Sequence, residues 1–406
     1  MTQYLLFLTL VLLLFHIYIN NFRNKFNKND KSILAMPSHE IENFTEKQEI
    51  IKVGWTVNTC PYIVTENIKS VFEKNNIKRQ TDNLSSESLI HLPCTYDNIE
   101  KEINNLNLKK DSQNKVFIIH GADQIVAKDY LWKNLLKKYG LEKTLDLIPM
   151  TYILYEKNDI KRLKEDYQDN NIYILKKNVQ RQEGLKICKN LNEIIKNKSD
   201  YVLAQELLQD PYLINNRKIN LRVYVLVICY QDTYKVYVYN DGFMYYTKDE
   251  YKPGSLDFGP NITTGYIDRW IYDVNPLTHQ DFREYLDKER DNTDVEKEIL
   301  YNNRKISNYV FNNIYKLIKD VFAAFYGKIG NGEILKNHLS FQLFGVDVAV
   351  DNQLGAKIME VNKGPDLGSK DKRDEILKQG VIQDTLKLVG AIDNIETNNF
   401  IKVLDI

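Results

Sequence analysis

Net charge is the first thing this chain lacks: 55 lysines and arginines are matched by 55 aspartates and glutamates. The lysines lie among acids and asparagines rather than in one stripe, and no nucleic-acid motif appears, so nucleic acid is not expected among the partners. Cysteine is scarce as well. Cys60, Cys94, Cys188 and Cys229 are scattered without metal-ligand spacing, and four in 406 residues do not make a disulfide framework. A reducing compartment is the default. There is no internal repeat, and sustained apolar runs are confined to one stretch near the start.

That stretch, Tyr4 to Ile19, is almost wholly apolar and is followed by Arg23, Lys25 and Lys28. A spanning helix needs about 20 residues, and Thr2, Gln3 and Asn20 extend the run towards the membrane interface. Positive charges follow the run instead of preceding it, and Asn20, Asn21 and Phe22 offer no small-residue cleavage site. The expectation is therefore an uncleaved transmembrane anchor over 1–22. The positive-inside rule makes this a single-pass membrane protein with its bulk in the cytoplasm. Residues 23–49 are polar and without apolar period, which reads as a linker.

What the chain does have is 43% apolar residues, enough for a full core divided into two or three subdomains. Ile50 to Val57 and Lys115 to Ile119 are β-like, while Asn67 to Asn76 and Asp129 to Tyr139 carry helical apolar spacing. Together they predict a small α/β subdomain over 50–145. His120, at a strand end before Gly121, is expected to be a turn residue rather than a catalytic one. His279 to Leu300 is strongly charged and predicts an exposed helical excursion, and Ile306 to Phe325 predicts a core helix. The tyrosines crowding Arg222 to Tyr230 and Tyr234 to Tyr246 read as sheet packing.

The densest chemistry lies near the C-terminus. Val346, Val348 and Val350 alternate with Asp347 and Ala349, and Ile358 to Asn362 resumes β character after Asn352-Gln353-Leu354-Gly355. A hairpin centred near Gln353 sets Asp347 opposite Glu360, and Asn362, two residues on, points the same way as Glu360. Charges inside apolar runs are costly unless they serve a ligand. Two carboxylates and an amide oxygen suit magnesium, which leaves other positions to water and phosphate oxygens. Lys176 closes the apolar run Ile172 to Leu175, where a lysine needs an anion as partner. Lys218 and Arg222 share one face of a β-rich run under period-two spacing.

With these residues the chain resembles the tubulin tyrosine ligase-like family of ATP-grasp ligases. The family's Gly-Ile-Asp and Ile-Glu-Val-Asn stand here as Gly345-Val346-Asp347 and Met359-Glu360-Val361-Asn362. Four further segments follow in the family's order: Ile148 to Leu154, Tyr173 to Lys176, Val202 to Leu208, and Arg217 to Tyr224, the last resembling Arg-Lys-Phe-Asp-Leu-Arg-Val-Tyr. The likeness runs from about residue 115 to the C-terminus.

The resemblance implies an α/β (α+β) ATP-grasp fold with a central subdomain over 146–205 and a C-terminal one over 206–406. It implies ATP and Mg2+ as cofactors, a free amino acid, and a protein acceptor with a free carboxylate, tubulin being possible. An acyl phosphate would form on that carboxylate and the amino acid's amine would displace phosphate. Lys176, Gln205, Lys218 and Asn220 would bind nucleotide, with Gln205 at the adenine edge. Asp347, Glu360 and Asn362 would hold the metal, and Lys218 and Arg222 would act at the transferring phosphoryl.

Departures from the family pattern keep two alternatives open, a silent nucleotide- or partner-binding protein and a ligase of small metabolites. Asn220 stands for an aspartate, Tyr245 for an arginine that meets substrate carboxylate, Thr264 for an asparagine and Glu206 for a lysine. The loop Lys177 to Gly184, where a glycine-rich phosphate loop belongs, has one glycine, with Arg181 as a further donor.

Overall fold

The computed structural model describes residues 53–56, 65–80, 88–93, 98–106, 108, 113–178, 184–288, 292–302, 304–330, 332–393 and 397–406. The expected anchor and linker, Cys60, Cys94 and loop residues 179–183 lie outside the described residues. Among the described residues no helix is long and apolar enough to cross a membrane.

Four short strands open the fold: β1 (Val53–Thr56), β2 (Lys78–Arg79), β3 (Ser88–His91) and β4 (Gln113–Val116). They pair in parallel in the order β4-β3-β1-β2, as strands joined by helical crossovers do. The helix Glu66–Lys74 lies in one crossover and buries Ile68, Val71 and Phe72. Next comes a separate antiparallel sheet, β5 (Thr151–Ile153), β6 (Tyr173–Lys176), β7 (Leu185–Cys188) and β8 (Leu203–Glu206), in the order β5-β8-β6-β7. Its core is Tyr152, Leu154, Tyr173, Leu175 and Ala204, packed on Leu163 and Ile194 of two short helices.

The rest of the chain supplies β9 (Leu213–Ile214), β10 (Arg217–Tyr230), β11 (Thr233–Thr247), β12 (Thr263–Thr264), β13 (Leu339–Val350), β14 (Ala356–Asn362) and β15 (Phe400–Asp405). The long antiparallel pairs β11-β10 and β10-β13 form its centre, and β13 pairs with β4 at its start and with β14 towards its end. Among the described residues the result is one mixed sheet of eleven strands.

Strand alternation divides the faces of β10 and β13 in the same way. Ile219, Leu221, Val223, Val225 and Val227 on β10, with Val346, Val348 and Val350 on β13, pack under the helix Ile306–Ala323. That helix presents Val310, Phe311, Ile314, Leu317, Ile318, Val321 and Phe322, the spacing that marks it as a core helix. Fully burying each such side chain contributes about 1.5–3 kcal/mol. On the opposite face, Tyr224, Leu226, Phe341 and Leu343 pack with Leu377, Val381 and Leu386 of the helix Lys372–Leu388. Earlier on β10 and later on β13 that same face is left uncovered, and there the polar residues stand.

Two expectations change. The segment 279–300 is not an exposed excursion: helices His279–Asp287 and Asp294–Tyr301 bury Phe282, Leu286 and Ile299 in the main core. Their charges had masked an apolar stripe at helical spacing. Each helix begins with a capping box, Thr278 with Asp281 and Thr293 with Glu296. The helix expected from Asp129 begins at Lys128 and continues to Leu147, across a kink where Gly140 has φ 75°. His120 sits in a backbone bridge to Gly330 with its ring 2.9 Å from Glu100.

Candidate active site

Between the four-stranded sheet and the uncovered face of β10 and β13 lies a cleft of about 710 Å³. Lys176 enters it from β6, Lys218, Asn220 and Arg222 from alternate positions of β10, Asp347 from β13, and Glu360 and Asn362 from β14. Seven of the eight sequence-predicted residues thus line one space. Register brings them together: Arg222 pairs with Asp347 across β10 and β13, Asp347 with Glu360, and Gly345 with Asn362. An irregularity in the β13-β14 ladder just after the Asp347–Glu360 pair leaves Met359 unpaired.

Gln205, the eighth, does not line the cleft. It is buried behind Lys176, accepting from Lys176 Nζ at 2.7 Å and donating to Thr151 Oγ1 at 3.0 Å. Leu207 and Leu208 are the hinge residues that line the cleft.

Lys176 has Gln205 and, at 3.5 Å, the Met359 carbonyl as hydrogen-bond acceptors. Burial pulls its ammonium down to about 8, while Glu360 and Asp347 favour the charge and Lys128 opposes it. Lys218 donates to the Leu208 carbonyl at 3.0 Å and Asn261 Oδ1 at 3.1 Å, with the Tyr251 ring 4.6 Å away. Burial takes it to about 8 as well. Among the described residues neither lysine has a carboxylate within salt-bridge reach. Two desolvated ammonium groups held by neutral oxygens are prepared for an anion.

The carboxylates are engaged differently. Arg222 grips Asp347 through Nε–Oδ1 at 2.7 Å and Nη2–Oδ2 at 3.1 Å, and its guanidinium lies 5.1 Å from the Tyr245 ring centre. Gly345 leaves room for this: a Cβ there would meet Arg222 Nη1 and Pro365 at 3.1 Å. Burial pushes the Asp347 carboxyl up and Arg222 offsets part of that, and both oxygens act as acceptors, so the pair is ionised. Glu360 Oε1 is 2.9 Å from Lys128 Nζ. Asn362 donates weakly to the Gly345 carbonyl at 3.4 Å.

Three cleft residues were not singled out from sequence. Lys128 is the first residue of its helix, one position before the expected start, so the lysine beside Asp129 was the available signal. Asn261 is buried and bonded to Lys218. Lys370 lies on the loop after β14, where nothing periodic marks it.

Residues 106–398 match the profile of the tubulin-tyrosine ligase family, well over half of the chain. The chain belongs to the tubulin-tyrosine ligase family. Its mixed α/β architecture is consistent with a tubulin-tyrosine ligase-like, ATP-grasp-like domain. Among curated proteins this family member is similar to the tubulin polyglutamylase TTLL7 of Xenopus tropicalis, 25% identical over 298 residues, 70% of this chain and 32% of the relative. A probable beta-tubulin polyglutamylase of Tetrahymena thermophila is 26% identical over 288 residues, 67% of this chain and 23% of the relative. The tubulin monoglutamylase TTLL4 of Mus musculus is 25% identical over 288 residues, with the same two shares. The chain spans about a third or less of the length of these relatives.

Proposed function

We propose that this protein is an ATP- and magnesium-dependent ligase that joins an amino acid to a protein carboxylate. The reading rests on one observation above all: Lys176 and Lys218, buried and, among the described residues, bonded to neutral oxygens, share a cleft with Asp347 and Glu360. The relatives' names make tubulin the first acceptor to test and glutamate the first amino acid.

Lys176 and Lys218 hold the nucleotide phosphates, with Asn220 beside them and the adenine against the Leu207-Leu208 hinge. The acceptor carboxylate attacks the γ-phosphorus and ADP leaves, giving an acyl phosphate. The amine then attacks the acyl carbon, phosphate departs, and the nitrogen loses its proton to solvent. Arg222, whose Nη1 is not used on Asp347, faces the transferring phosphoryl and balances its charge. Asp347, Glu360 and Asn362 fit a hard cation, because each carboxylate oxygen keeps a lone pair beyond the one given to Arg222 or Lys128. Bound there, magnesium would neutralise phosphate charge.

Mass spectrometry of tubulin and other acceptors after incubation with ATP and an amino-acid mixture tests this. A mass increment that needs ATP and is lost in Glu360→Gln is expected. Nucleotide binding with no incorporation of any amino acid would instead favour a silent binding protein, and ATP-driven condensation of small molecules a metabolite ligase.

The proposal also tethers the ligase to a membrane through residues 1–22, with the catalytic part cytoplasmic. Release of the full chain from membranes by alkaline carbonate would refute the tether.

A further inference from the structure

At one end of the cleft, Arg222, Tyr245, Gly265, Tyr266, Asp366 and Lys370 meet. The charges in this part of the molecule are largely committed. Arg222 is paired with Asp347 and Lys128 with Glu360, while Lys176 and Lys218 lie towards the hinge. Lys370 is different. Its Nζ donates to the Gly265 carbonyl at 2.7 Å and lies 3.8 Å from the Tyr266 ring centre, and among the described residues no carboxylate is within salt-bridge reach of it. Its backbone N–H is fixed by Asp374 at 2.9 Å, so the loop that carries it is tied to the helix Lys372–Leu388. The corner is tight: a Cβ on Gly265 would come within 2.9 Å of the Tyr245 ring and 3.3 Å of Lys370 Nζ. A small group held there therefore touches an ammonium and aromatic edges together.

We propose that Lys370 receives the α-carboxylate of the incoming amino acid, and that this corner selects an amino acid with an uncharged side chain. The inference rests on the ligase reading above and specifies its substrate class. Among the described residues lining this corner, Lys370 is the cation without a carboxylate partner, and it serves one carboxylate. Asp366 lines the same corner, complements the α-amino group, and repels a second carboxylate. The rest of the wall is Tyr245 and Tyr266, which favour apolar or aromatic side chains over charged ones. Glutamate would bring a side-chain carboxylate to a corner whose other lining cation, Arg222, is already paired with Asp347 and where Asp366 adds negative charge. This separates the chain from the glutamylating relatives it resembles.

Glutamate and glutamine are nearly isosteric and give a clean comparison. Saturation-transfer NMR on the full chain with a non-hydrolysable ATP analogue measures binding of glutamate, glutamine, glycine, alanine and tyrosine. Glutamine and at least one smaller or aromatic neutral amino acid are expected to bind at least about fivefold tighter than glutamate. Lys370→Ala should weaken the neutral ligands about tenfold or more, the loss that follows from removing a charge-assisted bond, with affinity for the ATP analogue within about twofold. Lys370→Arg should restore most of the loss. Gly265→Ala, which crowds the corner without removing charge, should weaken tyrosine more than glycine. Tighter binding of glutamate than glutamine, or unchanged amino-acid binding in Lys370→Ala, would overturn the proposal. ATP-dependent incorporation of glutamate would do so too while leaving the ligase reading intact, whereas failure to bind the ATP analogue would bring down the ligase reading itself.

Discussion

Arg222 and Asp347 face one another from neighbouring antiparallel strands and share two hydrogen bonds, at 2.7 and 3.1 Å, on the floor of the cleft. Both side chains are largely withdrawn from solvent, at 14% and 15% exposure. Removing one partner strands the other's charge in a place where water does not replace it. Asp347→Ala is expected to lower stability by about 3 kcal/mol or more, read as a lower urea midpoint at unchanged slope. Arg222→Met with Asp347→Leu should cost less than the two single changes summed, a coupling that a double-mutant cycle measures. Additive losses would show that the two residues are not coupled.

The two buried lysines give the nucleotide site a pH dependence of definite sign. Both Lys176 and Lys218 are pulled to about 8 from the ordinary 10.5 by burial. Affinity for ATP should therefore fall as pH rises from about 7 to 9, as the ammonium groups lose their protons. Stability of the nucleotide-free protein moves the other way. Between about 8 and 10.5 the unfolded chain keeps protons that these folded-state lysines have released, so their contribution rises with pH across that window. Equilibrium dialysis with ATP and chemical unfolding at matched pH values check both signs. Lys176→Met should flatten part of each slope.

Metal removal separates the carboxylates from the cations. Chelation by EDTA should weaken ATP binding about tenfold or more in the wild type, and only slightly in Glu360→Gln, whose divalent site is already damaged. Glu360 is 29% exposed, so the substitution is expected to leave the melting temperature within a few degrees. Equal EDTA sensitivity in both proteins would remove Glu360 from the metal site.

A control away from the cleft lies at Glu296. This carboxylate is fully buried, accepts from the Tyr212 hydroxyl at 2.8 Å, and closes the capping box with Thr293. Glu296→Ala should cost about 1–3 kcal/mol, from the hydrogen bond to Tyr212 and the cap that are lost. ATP affinity should be unchanged, measured on the same protein preparation.

Much of the candidate site could be read from the sequence because strands carry their own geometry. Period-two spacing put Lys218 and Arg222 on one face of β10, and the turn at Asn352 to Gly355 set Asp347 against Glu360, as the register has it. Gln205 was different. Its place in a hinge-like segment suggested a ligand contact, and the register does set it on the face of Ile174 and Lys176, but hydrogen bonds to Lys176 and Thr151 within its own sheet hold its amide beneath the lysine instead of at the cleft wall. The helices at 279–301 misled for a related reason, since their surface charges outnumber the few apolar residues that anchor them.

By itself the sequence determined the family, the core helix, the acidic hairpin and the alternation of the two central strands. The family shows in short motifs set in order along the chain, and the other three are fixed by residues close together in sequence. Only the tertiary structure decided which charges are spent on one another and which are left for a ligand: Arg222 on Asp347, Lys128 on Glu360, and Lys176, Lys218 and Lys370 on neutral oxygens. The physical reason is that charge pairing depends on distance in space. Lys128 and Glu360 lie 232 positions apart in the chain and 2.9 Å apart in the cleft.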